Sequence, residues 1–104
     1  MTDLIFIDDC PIITKAWVLY GLSNNKKIAS YNSIHSFRTD LNQFDLTTPI
    51  YIDSDLKDAM SGQDFAKELY EHGFKNIYLS TGHSPEKFPN MFWIKEIVGK
   101  MPPF

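Results

Sequence analysis

Five polar residues of the types that handle phosphate and metal stand out. Asp8 and Asp9 follow one apolar run, Asp53 follows another, and Thr81 and Lys100 lie nearer the C-terminus. The adjacent carboxylates of Asp8 and Asp9 repel each other, so a positive group should sit between or beside them. Brought together with Asp53, they would form an all-oxygen site for a hard dication. Mg²⁺ suits such a site because it keeps several waters and takes only one or two direct carboxylates plus phosphate. A lysine and a hydroxyl on the other side would suit the oxygens of a phosphoryl group. Phosphoryl transfer needs an in-line nucleophile, a metal, and donors around the equatorial oxygens. Asp53 is the natural nucleophile, since a carboxylate can form an acyl phosphate.

These residues are far apart in the chain, so the elements must bring them together. "LIFI" (Leu4 to Ile7) is a continuous apolar run that suits a strand buried on both faces. Pro11 fits the first turn of a helix, where its missing N–H costs nothing. Ile12, Ile13, Ala16, Trp17 and Tyr20 are expected on one face of that helix, with Gly21 and Leu22 as its stop. "KIASY" (Lys27 to Tyr31) reads as a second strand. Ile34, Phe37, Leu41 and Phe44 then recur at helical spacing, with Asn32 or Ser33 as cap. "PIYI" (Pro49 to Ile52) is a third strand. "SGQD" (Ser61 to Asp64) resembles a capping box opening a helix that buries Phe65, Ala66 and Leu69 and stops at Gly73. "NIYLST" (Asn76 to Thr81) is a fourth strand, "SPEKF" has room for little more than one helical turn, and "WIKEIV" (Trp93 to Val98) is a fifth strand.

Strands alternating with helices imply parallel pairing with right-handed crossovers, hence a small doubly wound α/β domain spanning residues 1–104. In an open parallel sheet the carboxyl ends of the strands share one edge, and ligands bind there. Asp8, Asp9, Asp53, Thr81 and Lys100 would all meet at that edge.

The composition narrows the function classes. At 104 residues and 43% apolar content the chain suits one core. A net charge of −3 without a basic cluster argues against nucleic acid as a partner. No apolar stretch approaches a membrane span, and no charged-then-apolar leader opens the chain, so a cytoplasmic location is expected. Cys10 cannot form an internal disulfide, and its acidic neighbours would raise its pKa, so it reads as a loop residue rather than a nucleophile. Trp17, Trp93 and the Phe and Tyr stripes read as core. His35, His72 and His83 lack metal-ligand spacing, although His83 falls two residues past Thr81 and so would overlook the acceptor.

"FIDDCPIITKA", "IYIDSDLKDAMSG", "LSTG" and "GKMPP" together resemble, in order and spacing, the receiver domain of bacterial two-component response regulators, over nearly the whole chain. The resemblance implies a flavodoxin-like, five-stranded parallel sheet of order 2-1-3-4-5, truncated after strand five. It implies a phosphoprotein in a signal-transduction phosphorelay, accepting its phosphoryl group from a histidine kinase or histidine phosphotransfer domain. Asp8 and Asp9 resemble the acidic pair that organises Mg²⁺, and Asp53 the phosphoacceptor that also binds the metal. Asp55 sits where the family offers a backbone carbonyl to the metal. Thr81 resembles the switch hydroxyl and Lys100 the lysine on the phosphoryl group. Asp55 and His83, each two residues past a site residue, are expected to modulate the lifetime of the phosphorylated state. Such a protein catalyses at most its own phosphorylation and dephosphorylation.

Gly62 matches the glycine after the acceptor loop, one residue later than is usual. Ile97 replaces the frequent aromatic three residues before the lysine, and Met101 separates Lys100 from Pro102. The fourth helix is short. The last is not expected, since the chain runs only to Phe104, so a homodimer or a neighbouring domain is expected to cover the face it would occupy. One alternative is a degenerate receiver that docks proteins without phosphorylation. A more remote one is a haloacid-dehalogenase-like phosphatase, disfavoured because its Asp-x-Asp follows the first strand and its further acids come after the lysine.

Overall fold

The computed structural model describes residues 1–58 and 60–104; Ala59, inside the acceptor-loop stretch quoted above, lies outside the described residues. Five strands form one sheet: β1 (Leu4–Ile7), β2 (Ile28–Tyr31), β3 (Ile50–Asp53), β4 (Ile77–Ser80) and β5 (Glu96–Val98). All neighbours pair in parallel, in the order β2-β1-β3-β4-β5. This is the flavodoxin-like arrangement expected from the sequence. β1 and β3 are buried along their whole length, as strands covered on both faces require.

Among the described residues three helices cover the sheet: α1 (Pro11–Ser23), α2 (Ile34–Asp40) and α3 (Gly62–His72). Pro11 begins α1, and Ser33 caps α2 by accepting the Ser36 N–H. Ser61 caps α3 by accepting the Asp64 N–H, and Gly73, at φ 120°, ends it. Strand alternation divides the core in two. Ile5, Ile7, Ile50, Ile52 and Ile77 pack with Phe37, Phe65 and Leu69 of α2 and α3. Leu4, Phe6 and Tyr51 pack on the opposite face with Trp17 of α1, whose indole stacks on Phe6 at 3.8 Å between ring centroids.

Several boundaries and faces differ from the sequence expectation. The buried side of α1 is Thr14, Trp17 and Gly21, while Ile12 is 80% exposed. Gly21 does not stop the helix. It lies where α1 crosses β2, and a Cβ there would meet Ile28 Cδ1 at 2.8 Å. The helix instead continues to Ser23 and turns at Asn25, whose φ is 57°. α2 gives way at Leu41 to a 3₁₀ turn (Leu41–Gln43), so Phe44 packs from a loop. A 3₁₀ turn at Pro85–Lys87 occupies the place of the short fourth helix.

Trp93 does not begin β5. The chain turns at Met91–Ile94, with the Ile94 N–H donating to the Met91 carbonyl, and Trp93 folds over the start of α3, donating its indole N–H to the Gln63 carbonyl at 2.9 Å. The face expected to stand open beside β4 and β5 is partly covered by the chain after β5. Phe104 stacks on Tyr20 of α1 and packs against the core on the α1 side of the sheet.

Candidate functional site

β1, β3, β4 and β5 deliver their following residues to one edge. Asp8 directly follows β1 and is 1% exposed; Asp53 ends β3 and is 5% exposed. Asp9, half-buried, completes a group in which one carboxylate oxygen from each of Asp8, Asp9 and Asp53 lies within 4.8 Å of the others. An all-oxygen, largely buried carboxylate set of this size fits a hard dication such as Mg²⁺.

Lys100 places a positive group beside Asp8, one of the paired acids, and beside Asp53. Its Nζ donates to Asp53 Oδ1 at 2.5 Å and to Asp8 Oδ2 at 2.9 Å. Lys100 is therefore bonded directly to the acids rather than standing opposite them. Burial pushes the Asp53 carboxyl above the usual carboxylate range, and the negative charge of Asp8 adds to that; the bonds from Lys100 pull in the other direction without cancelling it. For Lys100, burial alone would lower the pKa, but the hydrogen bonds to Asp53 and Asp8 outweigh it and the ammonium is held above its ordinary value.

Backbone and core contacts fix these groups. The Cys10 N–H donates to Asp8 Oδ1 at 2.9 Å, and the Asn32 amide donates to the Asp8 carbonyl at 2.9 Å. Cys10 is thus a turn residue ahead of α1, as expected. The buried Ser80 hydroxyl donates to the Gly99 carbonyl at 2.9 Å, and the Trp17 indole N–H donates to the Lys100 carbonyl at 2.9 Å. The loop carrying Lys100 is therefore tied to both β4 and α1, and every peptide bond among the described residues is trans. Gly62 packs against the end of β3 so closely that a Cβ would fall 1.8 Å from the Asp53 carbonyl oxygen. That backbone contact leaves no room for a side chain at this position.

Asp8, Asp9, Asp53 and Lys100 line a crevice of about 700 Å³, together with Asp55, His83 and Gly82. His83 Nε2 and Asp55 Oδ2 are 2.8 Å apart across its mouth, with both side chains largely exposed. Thr81 is placed differently from the sequence expectation. It is 3% exposed, it is not part of the crevice wall, and its Oγ1 lies 2.9 Å from Ser54 Oγ. Ser54, Ser80 and Trp17 are the contacts that sequence reasoning missed. A polar residue in a stretch buried on both sides, as in "YIDS", was the available signal for Ser54.

No protein-family model matches the chain, and no curated protein matches it. Solved structures do. Response regulator protein TrrA from Thermotoga maritima, solved with Mg²⁺ and BeF, superposes with a TM-score of 0.81 at 18% identity, covering 100% of this chain and 90% of that one. The BeF₃-activated DrrB receiver domain gives 0.72 at 24% identity, covering 100% and 87%. A CheY-like receiver domain protein from Methanospirillum hungatei gives 0.76 at 13% identity, covering 100% and 83%. The chain has the fold of response-regulator receiver domains.

Proposed function

We propose that the protein accepts a phosphoryl group on Asp53 from a phosphohistidine of a histidine kinase or histidine phosphotransfer domain. One observation carries this reading: a buried carboxylate at the end of the central strand, ringed by two further acids and bonded to a lysine. An Asp53 oxygen would attack phosphorus, the P–N bond would break, and the imidazole would leave with a proton. The upward shift of the Asp53 pKa makes its ionised carboxylate more basic and so a better nucleophile than an exposed one. Asp8, Asp9 and Asp53 would hold Mg²⁺, with the Asp55 carbonyl as a further ligand, and the ion would neutralise charge on the transferred group. Lys100 is close enough to Asp53 to contact a phosphoryl oxygen there. The Mg²⁺ and BeF of the TrrA structure and the BeF₃ of DrrB are consistent with this reading.

Among the described residues no helix is long and apolar enough to cross a membrane. Asp55 and His83, at the mouth of the crevice, would tune hydrolysis by ordering or repelling the attacking water. Calorimetric titration with beryllofluoride tests the reading. One-to-one binding that needs Mg²⁺ and is lost in Asp53→Asn supports it. Absence of binding by the parent would instead favour a protein-docking module that is never phosphorylated.

A further inference from the structure

The register of β3 against β4 pairs Asp53 with Ser80, so the next residues along, Ser54 and Thr81, lie side by side. Successive side chains of a strand point to opposite faces, and carried one residue past the ends of β3 and β4 this alternation turns Ser54 and Thr81 away from the face that Asp53 and Ser80 share. Their hydroxyls meet there: Ser54 Oγ and Thr81 Oγ1 are 2.9 Å apart, in residues 5% and 3% exposed. The Thr81 oxygen also accepts the His83 N–H at 3.1 Å. Its neighbours Gly82 and His83 line the crevice while Thr81 does not. A β-branched side chain changes direction only by hopping between staggered wells. Recruitment of the Thr81 hydroxyl by a group on Asp53 through such a hop would give up Ser54.

We infer that Ser54 is a positioning residue: its hydroxyl holds that of Thr81 on the α3 side of the sheet and sets how readily Thr81 is released to a phosphoryl group on Asp53. This rests on the phosphoacceptor reading above. Among the described residues neither hydroxyl has another side-chain partner, so the exchange is direct. A ligand that recruits Thr81 breaks the Ser54 bond, and removing Ser54 favours the ligand-bound state.

The test is a double-mutant cycle of beryllofluoride affinity at saturating Mg²⁺, with circular dichroism and thermal unfolding to confirm each fold. Ser54→Ala should bind about 2- to 10-fold more tightly than the parent, the range set by one neutral hydrogen bond. In a Thr81→Ala background the same change should alter affinity less than about twofold, because the residue that Ser54 restrains is gone. Unchanged or weaker binding by folded Ser54→Ala, or an equal effect in both backgrounds, would overturn the inference. A parent that binds no beryllofluoride would overturn the phosphoacceptor reading itself. A second measurement needs no variant: the NMR three-bond couplings of the Thr81 methyl should report a change of rotamer when the parent is saturated. An unchanged rotamer would also overturn the inference.

Discussion

The indole N–H of Trp17, in the middle of α1, donates to the backbone carbonyl of Lys100 at 2.9 Å. A buried core residue thereby fixes the loop whose lysine bridges Asp8 and Asp53. Trp17→Phe would retain an aromatic ring against Phe6 but leave that carbonyl without its donor. The expected cost is about 1–3 kcal/mol of stability, read from urea denaturation, with weaker Mg²⁺-dependent beryllofluoride binding. Binding as tight as the parent's would show that Lys100 does not need this anchor.

Gly62 and Gly82 should respond oppositely to alanine. A Cβ at Gly62 would fall 1.8 Å from the Asp53 carbonyl oxygen, so α3 or β3 would have to move. Gly62→Ala is expected to cost about 3 kcal/mol or more, or to prevent folding. At Gly82 nothing lies within 4 Å of an added Cβ, and the change should stay within about 0.5 kcal/mol. Thermal unfolding of the two variants distinguishes them.

Lys100→Ala should produce a pH-dependent defect. The pKa of Asp53 is raised in the folded protein, chiefly by burial, so the folded state holds its proton more tightly than the unfolded chain does. Stability attributable to Asp53 therefore falls as pH rises from the ordinary carboxylate range through that raised value. Removing Lys100 withdraws the cation that offsets this. The expected loss is about 1–3 kcal/mol at pH 7.5, moderated because the Lys100 side chain is 32% exposed. It should be smaller at pH 5, since acidification favours the protonated Asp53 that needs no cation. Denaturation midpoints at the two pH values check this, and a deficit that grows on acidification would contradict it.

If Asp8, Asp9 and Asp53 hold Mg²⁺, the proton competes with the metal for Asp53, and apparent Mg²⁺ affinity should begin to fall at a higher pH than an ordinary carboxylate would dictate. Following Mg²⁺ titrations by tryptophan fluorescence from pH 8 to pH 5 measures this. Affinity that is flat throughout would place the metal away from Asp53.

His83 and Asp55 face each other at 2.8 Å across the mouth of the crevice. If they influence the attacking water, Asp55→Asn or His83→Ala should change the dephosphorylation rate by more than about twofold, equivalent to ~0.4 kcal/mol. Rates of both variants within that margin would leave the pair a surface contact.

β1 and β3 were legible in the sequence because strands buried on both faces leave continuous apolar runs. The convergence of Asp8, Asp9, Asp53 and Lys100 was legible because the carboxyl ends of parallel strands share one edge. Thr81 was placed at the correct end of β4, but its direction depends on the register that sets Ser54 beside it, which no local pattern encodes. Trp93 reads as a strand residue by its β propensity, yet its N–H finds the Gln63 carbonyl on α3 and the chain turns there instead. The role of Trp17 as a donor to Lys100 was hidden for a similar reason. Its apolar bulk marked it as core, and its partner lies 83 residues away.

Phosphorylation of Asp53 is tested most directly by incubating the protein with acetyl phosphate, with and without Mg²⁺, and mapping any modification by mass spectrometry. The expected result is one phosphoryl group on the peptide containing Asp53, formed only with Mg²⁺ and absent from Asp53→Asn. A parent that stays unmodified under these conditions, or an Asp53→Asn variant that is modified as fully as the parent, would contradict it.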